Sequence, residues 1–424
     1  MKILMKFFIF FLMLFISIAY GQEANNYLRQ IDNIVLSEKN SNARFSSSEK
    51  ATESAANFDV RYYRCEWNVD PAVRFISGKI TSWFVITQNT DTISFDLIND
   101  LIVDSVLKNE KAIAFERGNN TLKINLGAVS LAGKLDSVSI YYHGVPPNTG
   151  FGSFVTSMHA GVPVLWTLSE PYGSRDWWPC KNGLDDKADS IDVIITTPKD
   201  YSAASNGLRK SVSINGAYKT THWKHTYPIA SYLMCMAVTN YHELNHSVQI
   251  GPVSLPMQTF CYPEDSAIFK TNTPLVLATM QYYSSIFGDY PFIKEKYGHV
   301  QFGWGGGQEH QTSTFLVSPS ETLMSHELAH QWFGDKITCG SWSDIWLNES
   351  FATHLASMDN EKKYPQTAIN TRKKEIENIT ALPGGSVWVD DTSNVNRIFD
   401  GRLSYRKGSH VLYMLRWKLG DSVF

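Results

Sequence analysis

The sequence predicts a β + α chain with more than one domain, an all-β region of sandwich or saddle type followed by an α-rich region. Three observations lead there. From about residue 57 to 255, apolar and polar residues alternate with period two, in short runs broken by Asn, Asp and Gly. After about residue 262 the apolar spacing becomes helical. The chain has 424 residues, 43% hydrophobic and 19% charged, which is enough to bury two or three cores.

In chain order, residues 1–21 read as a signal peptide. MKILMK supplies the positive start, FFIFFLMLFISIA the apolar run and Ala19-Tyr20-Gly21 the small-residue exit. The run is short for a bilayer span of ~20 residues, so the chain meets the membrane only during export. The mature protein is then expected in the periplasm, on the cell surface or outside the cell. Residues 22–56 form a polar leader with little to bury, flexible or peripheral, with a short amphipathic helix around 27–36 as the alternative. Residues 57–258 form the β domain. Its strand-like runs include ISGKITSWFVITQ (76–88), TISFDL (92–97), LIVDSVLKN (101–109), DSVSIYYHG (136–144), SIDVIITTP (190–198), KTTHWKH (219–225) and SYLMCMAV (231–238). Residues 259–424 carry helices over 267–288, 320–334, 343–363 and 402–420, with Ser320 and Ser343 as cap candidates.

Composition also excludes. A net charge of −3 without a basic run gives nucleic acid nothing to hold. Five cysteines lie at wide, irregular spacings with no CxxC pair, so neither a disulfide framework nor a cysteine-built zinc site is indicated.

The chemistry concentrates in HELAHQWF (326–333). His326 and His330 stand four apart, so a helix places them on one face about 5–6 Å apart at Cβ. Two imidazoles there can converge on one zinc ion, whose catalytic sites take three protein ligands and leave one position open. Glu327 adjoins the first histidine, where it can reach a water rather than the metal. The third ligand must come from nearby. Glu349 is the candidate: it follows His330 after 18 residues, enough for a turn and a returning helix.

HELAHQWFGD followed by WLNESFA resembles the gluzincin aminopeptidases, the family of aminopeptidase N and leukotriene A4 hydrolase. GWGGGQEHQTSTF (303–315) looks like that family's Gly-x-Met-Glu-Asn exopeptidase motif. YRKG (405–408) looks like its Tyr-x-Lys-Gly segment, and TLSEPYGSRDWWPC (167–180) like the β-domain loop that lends the cleft an acid. The resemblance implies a β-saddle followed by a thermolysin-like catalytic domain. It implies one zinc ion on His326, His330 and Glu349, with Glu327 as general base and Tyr405 stabilising the oxyanion. Glu309 would bind the substrate's α-ammonium group, assisted by Glu170, and Gly306 and Gly307 would let the substrate backbone come close. The implied partner is a peptide with a free N-terminus. Gln308 replaces the motif's Met and His310 its Asn, so the wall of the S1 pocket is expected to differ. Leu168 stands where the acidic loop commonly has Gln. Tyr413 competes with Tyr405 for the tyrosine role.

The family's catalytic domain normally continues with further helices beyond LGDSVF (419–424). The chain is therefore expected to be a C-terminally truncated, exported bacterial member. Two other readings stay open: a silent peptide-binding homologue, and epoxide hydrolysis on the same site.

Overall fold

The computed structural model describes residues 29–32, 34–35, 56–148, 153–303 and 305–424. The expected signal peptide and most of the polar leader lie outside the described residues. The first half is β-rich and the second helical, as expected. An eight-stranded sheet dominates the first half, with Phe58–Asp70 and Val73–Ile86 near its middle. It is not wholly antiparallel, because Phe58–Asp70 pairs in parallel with Ser190–Pro198 (Tyr62↔Ser190). Phe58–Asp70 is absent from the strand-like runs in the sequence, for a physical reason. Phe58 and Val60 are buried, then Tyr63, Cys65, Trp67 and Val69, so the buried set changes parity midway. A register shift between Val60 and Tyr62 marks a bulge, which turns the following side chains to the other face.

A five-stranded sheet positions the site. Its order is His242–Ile250, Val253–Cys261, Tyr297–Gln301, Thr314–Leu316 and, at the edge, Gly307–Gln308. The boundary drawn at 258/259 falls inside the second of these strands, and the sheet continues across it.

The helices differ from expectation in detail. The 267–288 stretch is two helices, Ser266–Asn272 and Leu275–Phe287, separated at Pro274, whose missing N–H cannot continue a helix. Glu321–His330 begins after Ser320, which sits extended at the cap position but makes no side-chain cap bond. Ser343 is no cap: it lies within a short turn, Trp342–Asp344, ahead of the Trp346–Lys363 helix. The last stretch starts as a π-helical turn, Gly401–Lys407, and continues as the Gly408–Leu419 α-helix. No described helix is long and apolar enough to cross a membrane. All five cysteines are buried and unpaired.

The leader is peripheral only in part. Residues 29–32 and 34–35 are helical, and Ile31, Ile34 and Val35 are buried in the core. Asp32 pairs with the Arg406 guanidinium. A Cβ added to Gly401 would lie 2.2 Å from Val35 Cγ1, so this glycine lets leader and π-turn meet. The amphipathic-helix alternative describes this stretch better than a solvated tail does.

Candidate active site and metal centre

His326 and His330 leave the Glu321–His330 helix on one face, in a segment buried along almost its whole length. The Trp346–Lys363 helix returns across it and brings Glu349 from its first turn. The two Nε2 atoms lie 3.1 Å apart, and Glu349 Oε2 is 3.4 Å from His326 Nε2 and 3.5 Å from His330 Nε2. Donors about 2.0–2.1 Å from a tetrahedral zinc sit roughly 3.3–3.4 Å from one another. The triangle therefore fits zinc without rearrangement. His330 Nδ1 lies 3.1 Å from the Phe333 carbonyl; donating there leaves Nε2 with its lone pair toward the centre. His326 Nε2, opposite it, can then either donate a proton to that lone pair or share a cation with it.

The electrostatics agree. Burial favours the neutral acid at Glu349, but the two histidines outweigh it and hold the carboxyl at about 2. The imidazoles move in opposite directions. Burial lowers His326 despite its bond to Glu349, whereas at His330 the carboxylates of Glu349 and Glu309 overcome burial and raise it. Nitrogens this close cannot both be charged, so the sound conclusion is that the corner attracts one positive charge.

Glu327 is buried beside this corner, and its Oε1 has no hydrogen-bond partner among the described residues. Burial pushes its carboxyl well above the usual range, against the pull of His330. Gly307 makes room for it: a Cβ there would lie 2.4 Å from Glu327 Oε1. That glycine serves the neighbouring carboxylate, a need the sequence motif does not reveal. Gly306 is also buried, and its carbonyl accepts from Val317 N at 2.8 Å.

A second corner is built from loop and sheet edge. Glu309 follows the Gly307–Gln308 edge strand, and Glu170 lies in the loop after the Val162–Thr167 strand. Oxygens of Glu170, Glu309 and Glu349 all lie within 4.8 Å of one another. Gln308 Nε2 donates to Glu170 Oε2 at 3.0 Å and also to Glu309 Oε2. Gln331 fixes the backbone: its Nε2 donates to the Glu309 carbonyl at 3.3 Å, and its Oε1 accepts from Thr312 N at 2.9 Å. Burial raises Glu309 to about 7, with His330 opposing and Glu349 adding to the rise. Burial and the facing carboxylates raise Glu170 well above its ordinary value.

Tyr405 is fully buried in the π-turn, its ring 6.2 Å from that of His326 and inclined by 19°. Ser350, next to Glu349, donates Oγ to the Ser404 carbonyl at 2.6 Å and so ties this turn to the metal-side helix. Tyr413 is elsewhere, against His410 and beneath the Arg372 guanidinium. The structure thus brings Glu170, Glu309, His326, Glu327, His330, Glu349 and Tyr405 into one buried neighbourhood. It adds Gln308 as a donor, Gln331 as a brace and Ser350 as a tie, none of which a spacing motif signals.

Residues 59–233 match the family model for the peptidase M1 N-terminal domain, and residues 309–424 match that for the peptidase family M1 domain. Human glutamyl aminopeptidase is 27% identical over 280 residues, covering 59% of this chain and 28% of that protein. A probable aminopeptidase 2 of Sulfurisphaera tokodaii is 25% identical over 367 residues, covering 80% and 46%. The chain thus spans less than half the length of these curated relatives. The crystal structure of an M1 zinc metallopeptidase from Deinococcus radiodurans superposes with a TM-score of 0.76 at 25% identity, covering 87% of this chain and 84% of that one. A mutant of that protein has been crystallised with a Tyr-Ser-Ala substrate, at 24% identity to this chain.

Proposed function

The chain belongs to peptidase family M1, and we propose that it is a zinc aminopeptidase removing N-terminal residues from peptides. The observation that carries the reading is the joining of two corners in one buried site: a zinc-shaped triangle of His326, His330 and Glu349, and a carboxylate pair beside it.

In this reading the three donors hold zinc, which when bound makes water nucleophilic near neutral pH and polarises the carbonyl. Glu327 takes the attacking water's proton and passes it to the departing amine; it lies buried beside the triangle with Oε1 unpartnered among the described residues. Tyr405 donates its O–H to the oxyanion. Glu309 and Glu170 grip the free α-ammonium group by charge-assisted hydrogen bonds, which sets the cut one residue from the chain end. The signal-peptide pattern of residues 1–21 further supports a peptidase acting on peptides outside the cytoplasm.

Glu327→Gln tests the reading. Turnover of an aminoacyl arylamide should fall by ~10²–10⁴ with zinc stoichiometry unchanged. Full activity in this variant would exclude Glu327 as the base. Acetylating the substrate's amine should block cleavage, and efficient cutting of the blocked peptide would mean an endopeptidase. A wild-type protein that binds zinc and peptide but turns over no aminoacyl substrate would be a silent binding homologue.

A further inference from the structure

The family motif's Met is Gln308 here, which carries a carboxamide instead of a thioether. It turns to the carboxylate pair: one N–H of Nε2 goes to Glu170 Oε2 at 3.0 Å, the other to Glu309 Oε2. All three side chains are about 3% exposed, so solvent does not compete for these contacts. The remaining oxygens, Glu170 Oε1 and Glu309 Oε1, have no partner among the described residues. If the pair receives a substrate's amine, a nitrogen donating to both carboxyl groups copies part of the bonding of that ammonium group.

We propose that Gln308 is a built-in occupant of the ammonium subsite, a neutral placeholder that the substrate's N-terminus must displace. The inference rests on the reading of Glu309 and Glu170 as amine acceptors. An ammonium group brings three donors and a full positive charge, and its bonds to carboxylates are roughly twice as strong as those of a neutral amide. It therefore wins the exchange, but its net affinity is reduced by the two bonds given up. The same displacement discriminates: a ligand without a cationic amine cannot evict the carboxamide, so the pair stays closed to it. Gln308 is thus a specificity-determining positioning residue, acting through Glu170 and Glu309.

The test uses the full zinc-loaded chain at mildly alkaline pH and two ligands of matched shape, L-leucine and its des-amino analogue 4-methylpentanoate. Their dissociation constants are compared in wild type, Gln308→Met and Gln308→Leu. Both substitutions remove the N–H donors, and they differ in shape, so one can carry the test if the other does not fold. Binding of 4-methylpentanoate at the wild-type level confirms an intact pocket. Each variant should bind L-leucine roughly 3- to 10-fold tighter than wild type, the loss of about one net hydrogen bond, with 4-methylpentanoate unchanged. Equal changes for both ligands would make Gln308 an ordinary pocket wall and overturn the proposal. Weaker L-leucine binding would make it a helper rather than a competitor, and would overturn it too. A wild type that does not prefer L-leucine to the des-amino ligand would instead overturn the amine-binding reading itself.

Discussion

The metal corner and the chain-end corner share one buried site but are built by different means. The metal corner stands on two packed helices, where a spacing of four residues and a short return fix three donors within 3.1–3.5 Å. The chain-end corner stands on a two-residue edge strand and a loop 138 positions away in sequence, joined by the Gln308 carboxamide. One helix backbone sets the two histidines, and the packing of the second helix on the first brings Glu349 to them. An edge strand and a loop have no such ruler, and their geometry depends on side-chain contacts. Damage to the metal corner should therefore be all-or-none, and damage to the chain-end corner graded.

The largest effect is expected at the triangle. Glu349→Ala should abolish stoichiometric zinc and bring turnover to background. Chelation of the wild type should do the same reversibly, and should lower the melting temperature because the binding free energy no longer stabilises the folded state. Metal analysis with calorimetry checks both. An active, zinc-loaded Glu349→Ala would break the comparison at its firmer side.

Next comes Tyr405→Phe, which keeps the ring against His326 and removes only the donor. Losing one oxyanion donor costs ~2.7–4 kcal/mol, or about 10²–10³ in kcat, with little change in KM. An unchanged kcat would move the oxyanion donor to another group.

How much was legible in the sequence follows the same division. His326 and His330 could be placed because helical periodicity turns sequence distance into spatial distance, and Glu349 because the 18 residues after His330 suffice for a turn and a returning helix. Glu309, Glu170 and Tyr405 were accessible only through resemblance to a family, since no periodicity links residues 170, 309 and 405. Gln308 was read as a pocket wall, because a sequence shows residue type but not rotamer. In the β region, alternation identified strands until a bulge reversed it, and Phe58–Asp70 was lost there. Gly307 shows the same limit: its need for a missing side chain comes from Glu327, twenty residues away.

A moderate effect is expected at the chain-end corner. Glu309→Gln removes one charged acceptor, each such bond being worth about 1.5–3 kcal/mol, so kcat/KM for free-amine substrates should fall roughly 10- to 100-fold. The corner should also titrate. Burial raises Glu309 from 4.5 to about 7, so below that pH its carboxyl is neutral and no longer grips an ammonium group. Accordingly, kcat/KM should rise as pH increases through about 7, and Glu309→Gln should shift or flatten that limb. A pH profile identical in wild type and variant would assign the limb to another group.

The smallest effect concerns the leader, which the sequence marks as polar and peripheral. Its short helical piece buries Ile31, Ile34 and Val35, packs Val35 on Gly401 and pairs Asp32 with Arg406, the residue after Tyr405. Ser350 holds the same turn from the metal side. The tyrosine turn therefore joins the two styles of construction, one face tied to a helix and the other covered by a detached segment. Ile34→Asp would place a charge in the core and undock that segment. With the Ser350 tie intact, Tyr405 should lose only some of its constraint. A fall in kcat of roughly three- to tenfold at unchanged zinc content is expected, well short of the ~100-fold that a full 1 Å misplacement costs. An unaltered kcat, with faster proteolysis of the leader as proof of undocking, would show that the helix tie alone fixes the tyrosine.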